Sequence, residues 1–489
     1  MMRAIVTALA AAAMSISVTQ GAPREGKAVV ADLPRSRVIV LTDVGSDPDD
    51  MESMVRFLLY TNDFDVEGLV PSTSRHLKSS VHPEQITMRI EAYRKVLANL
   101  RAHDPRYPDA DFLLSRVKPG RPEFGMAGVG DGKDTVASEW IIRTVDVPDP
   151  RPVWITIWGG AVDLAQALHK VRATRTPAQV AAFVAKLRVY SISDQDNAGP
   201  WVRRQFPDLF WIVSITAHRH YNLSTWGGIS GDRMYYFDGP DFDLVSKEWL
   251  RENIQRGPLG SLYPNYEFIM EGDTPSFLYL VPNGLGNPEH PDYGRWGGRY
   301  GKVSEWDGLW TDTSDLVTGI DGKVRQTNKA TIWRWREAFQ NDFAARIQWT
   351  LQPSYKGANH NPQLVLNGTR GNAPVEIAAT AGDVVRLNAE GSRDPDGDAV
   401  DYSWWQYRES EAVNRNPGVE LNRGDKSRIG PTVIEMLVAN VSGVQPPKQN
   451  ISASTTSLSI VETRSNTLVQ RSVDPTKLEF LSQDFKRKD

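Results

Sequence analysis

Four apolar, β-rich runs recur between about Arg37 and Ser193: RVIVLT, DFDVEGLVPSTS, RPVWITIWGG and KLRVYSIS. Between them stand helical patterns such as ITMRIEAYRKVLANL and TPAQVAAFVAKL. A strand that is apolar on both faces must be covered on both, and strand-helix alternation supplies that cover by building a parallel sheet flanked by helices. Ligands of such sheets gather beyond the carboxyl ends of the strands. Each run ends in residues suited to a site: Asp43; Thr73 and Ser74; the Gly159-Gly160 loop; and Asp194, Gln195, Asp196 and Asn197.

The stretch LTDVGSDPDDMESMVRFLLY carries the densest charge in this region. Asp47 before Pro48 predicts an N-cap with proline at the first helical position, and Met51, Met54, Val55, Leu58 and Leu59 recur at helical spacing. Capping and the helix dipole account for Asp47, Asp49 and Asp50. They leave Asp43 unexplained. Gly45 permits a tight turn that returns Asp43 toward Asp49 and Asp50; carboxylates so close need a cation, and an all-oxygen donor set selects calcium or magnesium. A haloacid-dehalogenase-type phosphatase would need aspartate where Gly45 stands. GVGDGKD, from Gly128 to Asp134, lacks the glycine spacing of a phosphate loop and reads as a mobile loop near the site.

The 489 residues exceed what one core organises well. A net charge of −4 with no basic stripe argues against nucleic acid as a partner. The start, MMRAIVTALAAAAMSISVTQGA, has the outline of a secretory signal peptide over 1–22. No later apolar stretch is long enough to span a membrane, so the expected location is outside the cytoplasm, periplasmic or extracellular. The absence of cysteine removes thiolate chemistry and disulfides. Fifteen Trp and fifteen Tyr exceed what a plain core requires; Trp158 and Trp201, each beside a motif, are candidates to stack on a sugar ring as well as to pack.

The first domain is expected over 32–353, closed by one amphipathic helix, KATIWRWREAFQNDFAARIQWTL, with Trp333, Phe339, Phe343 and Ile347 on its stripe. A second is expected over 358–443, where DVVRLNAEGS and DYSWWQY read as two strands across the RDPDGDAV turn, in an immunoglobulin-like β-sandwich. The stretch 444–489 has no clear periodicity and reads as an irregular tail.

Together Asp43, Gly45, Asp49 and Asp50 resemble the signature of nucleoside hydrolases, with Ser46-Asp47-Pro48 making the turn two residues longer. WGGAVDLAQAL, SISDQDNAGPW, EGDTPSFLYLVPNGL and the DPDGD turn are similar to a narrower group, bacterial nucleoside-hydrolase-like proteins with a C-terminal β-sandwich described as cellulose-binding; the likeness runs from Val38 to Gly443. It implies a nucleoside-hydrolase-like, mostly parallel sheet flanked by helices. It implies calcium held by Asp43, Asp50, the Val162 carbonyl and Asp273, with Asp43 also taking a proton from water and Asp49 holding sugar hydroxyls. Where the family often has a histidine acid, this chain has Gly272, and Glu271 becomes the candidate acid. Thr73, Ser74 and Asp194 to Asn197 are the candidate sugar contacts. The implied function is a calcium-dependent hydrolase of N- or O-glycosidic bonds acting on a carbohydrate or glycoside. The alternatives are a non-catalytic cellulose-binding protein and a periplasmic nucleoside hydrolase. A homodimer follows only by analogy.

Overall fold

The computed structural model describes residues 29–410 apart from 218–219, 231–237, 306, 378–383, 401 and 405–406, together with 420–422, 433–437 and 458–459. The expected signal peptide and nearly all of the tail lie outside the described residues. The four apolar runs form β1 (Ser36–Thr42), β2 (Phe64–Pro71), β3 (Val153–Ile157) and β4 (Leu187–Ser193). Three further strands, β5 (Phe210–Ser214), β6 (Tyr300–Lys302) and β7 (Leu309–Asp312), complete a seven-stranded sheet in the order β2-β1-β3-β4-β5-β7-β6. All neighbours are parallel except the edge pair β6 and β7.

Strand order reverses between β1 and β3, so their carboxyl ends open the crevice where such sheets bind ligands. Alternate residues of β1 serve opposite faces. Val38 and Val40 join the core formed with α1 (Pro48–Leu59), α2 (Pro83–His103) and the late helix. Ile39 and Leu41 join the core under α3 (Val136–Asp146) and α4 (Val162–Thr174). The TPAQVAAFVAKL pattern becomes α5 (Pro177–Ala185), opened by a Thr176 capping box. A further helix, α6 (Ala198–Gln205), leads into β5.

Two expectations are corrected. The single helix from Lys329 to Leu351 is two, Ala330–Trp333 and α7 (Arg336–Leu351). Its apolar spacing runs through the break undisturbed, and Trp333, Phe339, Phe343 and Ile347 are all buried as expected. The strands flanking the DPDGD turn do not pair with each other: Val384–Asn388 pairs with Val433–Leu437, and Ser403–Trp404 with Leu458–Ser459. The turn itself forms, the Asp394 carboxylate accepting the Asp396 N–H at 2.8 Å. Irregular chain after it carries the next strand away from the first.

Candidate metal centre

Asp43 follows directly on β1. The Ser46 N–H closes a turn on its carbonyl at 3.1 Å, and Gly45 sits at φ 102° under the His82 ring, which a Cβ would meet at 2.9 Å. This turn sets the start of α1 at Pro48, with Asp47 as N-cap residue; its side chain makes no capping hydrogen bond. Asp49 and Asp50 thus face the end of β1. Thr42 ties Asp50 to the strand: its hydroxyl donates to the Asp50 carboxylate and accepts the Val44 N–H at 3.0 Å.

Asp273 arrives from far along the chain. Its segment is laid on α1 by three contacts: the Glu271 N–H donates to Glu52 at 2.8 Å, Thr274 meets Ser53 at 3.0 Å, and Glu271 pairs with Arg56 at 2.7 Å. From the sheet side, Trp158 Nε1 donates to the Ser276 hydroxyl, which in turn donates to the Asp273 carbonyl. As a result Asp49, Asp50 and Asp273 each offer an oxygen within 4.8 Å of the others. Asp43 borders this trio, and its charge acts on all three carboxylates.

The Asp43 carboxylate uses Oδ2 to accept from Ser46 and Ser74. Its Oδ1 is buried and receives no hydrogen bond from the described residues, and the same holds for Asp273 Oδ2. Gly159 passes so close that a Cβ would lie 2.5 Å from Asp43 Oδ1. Buried oxygens without donors, on crowded acids, are the donor set a hard cation needs. The residues therefore fit a calcium or magnesium ion.

Burial pushes the Asp43 carboxyl above its ordinary range, its serine hydrogen bonds opposing the rise. Burial, then the Asp43 charge, raises Asp49 to about 8 and Asp50 well above its usual value; for Asp273 the Asp50 charge follows burial. With its folded pKa above the ordinary 3.8, Asp49 binds more protons folded than unfolded between pH 3.8 and about 8, so its contribution to stability falls as pH rises through that window. Chelator-treated protein is expected to melt several degrees higher near pH 5 than near pH 8, with a smaller difference in Asp49→Asn. Equal pH slopes for the two proteins in differential scanning calorimetry would contradict this account.

The other site candidates separate. Ser74 positions Asp43 and accepts the N–H groups of His76 and Leu77. Thr73 donates to the Glu123 carbonyl, and its own carbonyl accepts Gly160 N–H. Val162 opens α4 and is fully buried. Gln195 donates to the Trp158 carbonyl at 2.6 Å and keeps a buried Oε1 with no donor among the described residues.

The remaining candidates have partners within the fold. Trp158 is 0% exposed and packs on Phe57 and Phe277, so no sugar reaches its face. Trp201 lies instead against Arg172 and Phe206. Asp194 is consumed by a two-pronged ion pair with Arg203 at 2.8 and 2.7 Å. Asp196 accepts the N–H groups of Ala161 and Ala198, and Asn197 that of Met126. Glu271, the candidate acid, spends one oxygen on Arg56 and the other on the Tyr263 hydroxyl at 2.8 Å, both partners buried. GVGDGKD is pinned to α4, through Gln166 to Gly130 and Asp134 and through Lys170 to Asp134.

Sequence reasoning missed a ring of aromatic groups. The Gly272 Cβ position lies 2.7 Å from Asp49 and 3.5 Å from Trp226; Trp226 borders Tyr221, and Tyr221 borders His76. The Tyr221 hydroxyl is buried without a partner among the described residues. No spacing rule links these loop residues.

Sheet order, crevice and acid cluster together define a nucleoside-hydrolase-like α/β protein. The family described as cellulose-binding Sde182, nucleoside hydrolase-like domain, matches residues 37–300, and the C-terminal domain of cellulose-binding protein Sde0182 matches 384–458. The chain belongs to this family. A solved nucleoside hydrolase-related hypothetical protein from Saccharophagus degradans, associated with carbohydrate metabolism, is 36% identical with a TM-score of 0.69, over 83% of this chain and 92% of that one. A plant nucleoside hydrolase is 14% identical with a TM-score of 0.32, over 64% and 99%. No curated protein matches. Among the described residues no helix is long and apolar enough to cross a membrane.

Proposed function

We propose that this chain is a calcium-dependent hydrolase of glycosidic bonds, N- or O-linked, acting on a carbohydrate or glycoside outside the cytoplasm. The observation that carries the reading is the convergence of Asp49, Asp50 and Asp273 beside the donorless oxygen of Asp43. Asp50 and Asp273 would hold the ion with Asp43 beside them, and the Val162 carbonyl would complete the set by family likeness. Asp49 would turn to the sugar hydroxyls.

Calcium, when bound, supplies positive charge that gathers sugar hydroxyls and water. Asp43 Oδ1 then accepts the proton of the attacking water, while Ser46 and Ser74 fix the carboxylate through its other oxygen. The surrounding carboxylates favour the positive charge that develops on the sugar as the bond to the leaving group lengthens.

One observation favours a second reading, cellulose binding without turnover. Glu271 is fully engaged, and a side chain at position 272 would strike Asp49, so the family's usual acid has no replacement there. The test is calcium content by elemental analysis, with hydrolysis and binding assays on cello-oligosaccharides, other plant-wall oligosaccharides and nucleosides. Asp43→Ala is expected to lower turnover about 10²–10⁴-fold, the usual contribution of a general base, while oligosaccharide binding persists. Oligosaccharide binding with no hydrolysis by the wild type establishes the second reading; cleavage of inosine or uridine alone establishes a nucleoside hydrolase.

A further inference from the structure

Far from the carboxylates, two histidines meet where the C-terminal segment touches the first domain. His103, the last residue of α2, places Nδ1 2.9 Å from His360 Nε2 and Nε2 3.0 Å from the Gln352 carbonyl. His360 places Nδ1 3.0 Å from the Asp396 carboxylate, which also accepts the His360 backbone N–H at 2.6 Å. The rings are 7% and 6% exposed and sit in a stack: Trp349 on His103, and Tyr355 on His360 at 3.6 Å. Asp396 belongs to the DPDGD turn, inside the matched C-terminal domain; His103 lies inside the matched first domain.

Counting hydrogens constrains this relay. The Gln352 carbonyl and the Asp396 carboxylate only accept, so each end needs a proton, and the contact between the rings needs a third. Two neutral imidazoles carry two. The geometry therefore holds one proton more than the neutral rings supply, shared along the line from His103 to Asp396. We infer that this relay is a proton-gated clasp between the two matched regions, closed with that one shared proton and opened when it is lost or when a second is taken up.

Loss of the shared proton leaves one of the three contacts as two facing acceptors. Uptake of a second puts like charges on rings whose facing nitrogens are 2.9 Å apart. Burial, then the charge of His360, holds the His103 ring below its ordinary 6.5, against the opposing Gln352 hydrogen bond and Asp396 charge. A lowered histidine pKa means that the stabilisation is present above pH 6.5 and is lost as pH falls through the folded value.

The other ionisable groups around the rings have their own partners or positions. On α2 and the turn after it, Arg101 pairs with Asp109, and Asp104 with Arg106. In the DPDGD turn, Asp394 accepts the Asp396 and Asp398 N–H groups, with the Asp398 carboxylate beside it. On the 3-10 turn from Tyr355 to Gly357, the Tyr355 hydroxyl is raised by burial and Lys356 follows it.

The test uses the full chain. Nitrogen-15 NMR of the histidine rings is expected to show three ring N–H protons on His103 and His360 near neutral pH. Hydrogen exchange of the 392–400 backbone, corrected for intrinsic rates, is expected to be slowest there and at least ~10-fold faster near pH 4.5, one pH unit's worth of linkage. His103→Gln should flatten that profile. Tyr407→Phe, which removes the separate 2.5 Å hydrogen bond to Asp315, should lower protection without changing its pH dependence. Two ring protons instead of three, or a wild-type profile already flat, overturns the clasp; the NMR count decides even where His103→Gln does not fold.

Discussion

Asp50→Asn is expected to reduce calcium affinity at least ~100-fold, beyond what losing a group that only supports a ligand costs, and to raise the melting temperature of the calcium-free protein. The two effects have one origin. Asp50 is buried against Asp43, Asp49 and Asp273, and its negative charge is repelled until a cation arrives. An amide removes that repulsion and keeps an oxygen for the Thr42 hydroxyl. In the wild type, calcium should raise the melting temperature with its concentration, as any ligand specific to the folded state does; in the variant that rise should be nearly absent. Titration calorimetry measures the affinity, and thermal melts with and without chelator measure the stability. A variant that binds calcium as tightly as the wild type removes Asp50 from the ligand set. A calcium-free variant that melts lower shows that the four acids do not strain the fold.

Arg56→Ala is expected to destabilise the protein by about 3–5 kcal/mol, the usual consequence of leaving a buried charge without its partner. Arg56 and Glu271 are both fully buried and meet at 2.7 Å. The same guanidinium donates to Gln340 at 2.9 Å and to the Phe339 carbonyl, and lies 4.4 Å over the Phe343 ring. One side chain therefore joins α1, the Asp273 segment and α7. Glu271→Gln, which keeps a hydrogen-bonding shape and removes only the charge, should cost less. Urea unfolding gives both values. Because Asp273 stands two residues beyond Glu271, Arg56→Ala should also weaken calcium binding at temperatures where the variant is folded. A loss under 1 kcal/mol would mean that no charge pair holds these segments together.

The strands β1 to β4 were legible because a strand buried on both faces has to be written as an unbroken apolar run. β6 and β7 were not: they are short strands at one end of the sheet, with mixed polarity, such as YGK and LWTD, and carry no period. β5 is apolar enough, as FWIVS, but it follows a helix so closely that its run hides in the connection. The acids at the end of β1 could be read from charge density and one glycine. Asp273 could not, since nothing around EGDTPSF marks a strand end; only the family likeness pointed to it. The segment after β4 misled for a definite reason. Polar residues beyond a strand serve a ligand or the next helix equally well on paper, and here Asp194 and Asp196 serve α6 and its Arg203. Trp158 posed the same ambiguity, settled by a hydrogen bond to Ser276 that no local pattern encodes.

Glu271 and Glu52 touch although 219 positions separate them, and Asp273 and Asp50 come together across a slightly longer span. An ion gripped by both must wait until this long loop has closed, because its two halves are far apart in any chain still searching for its shape. Calcium should therefore leave the rate of folding almost unchanged and act instead as a brake on the way out, lengthening the lifetime of the finished protein.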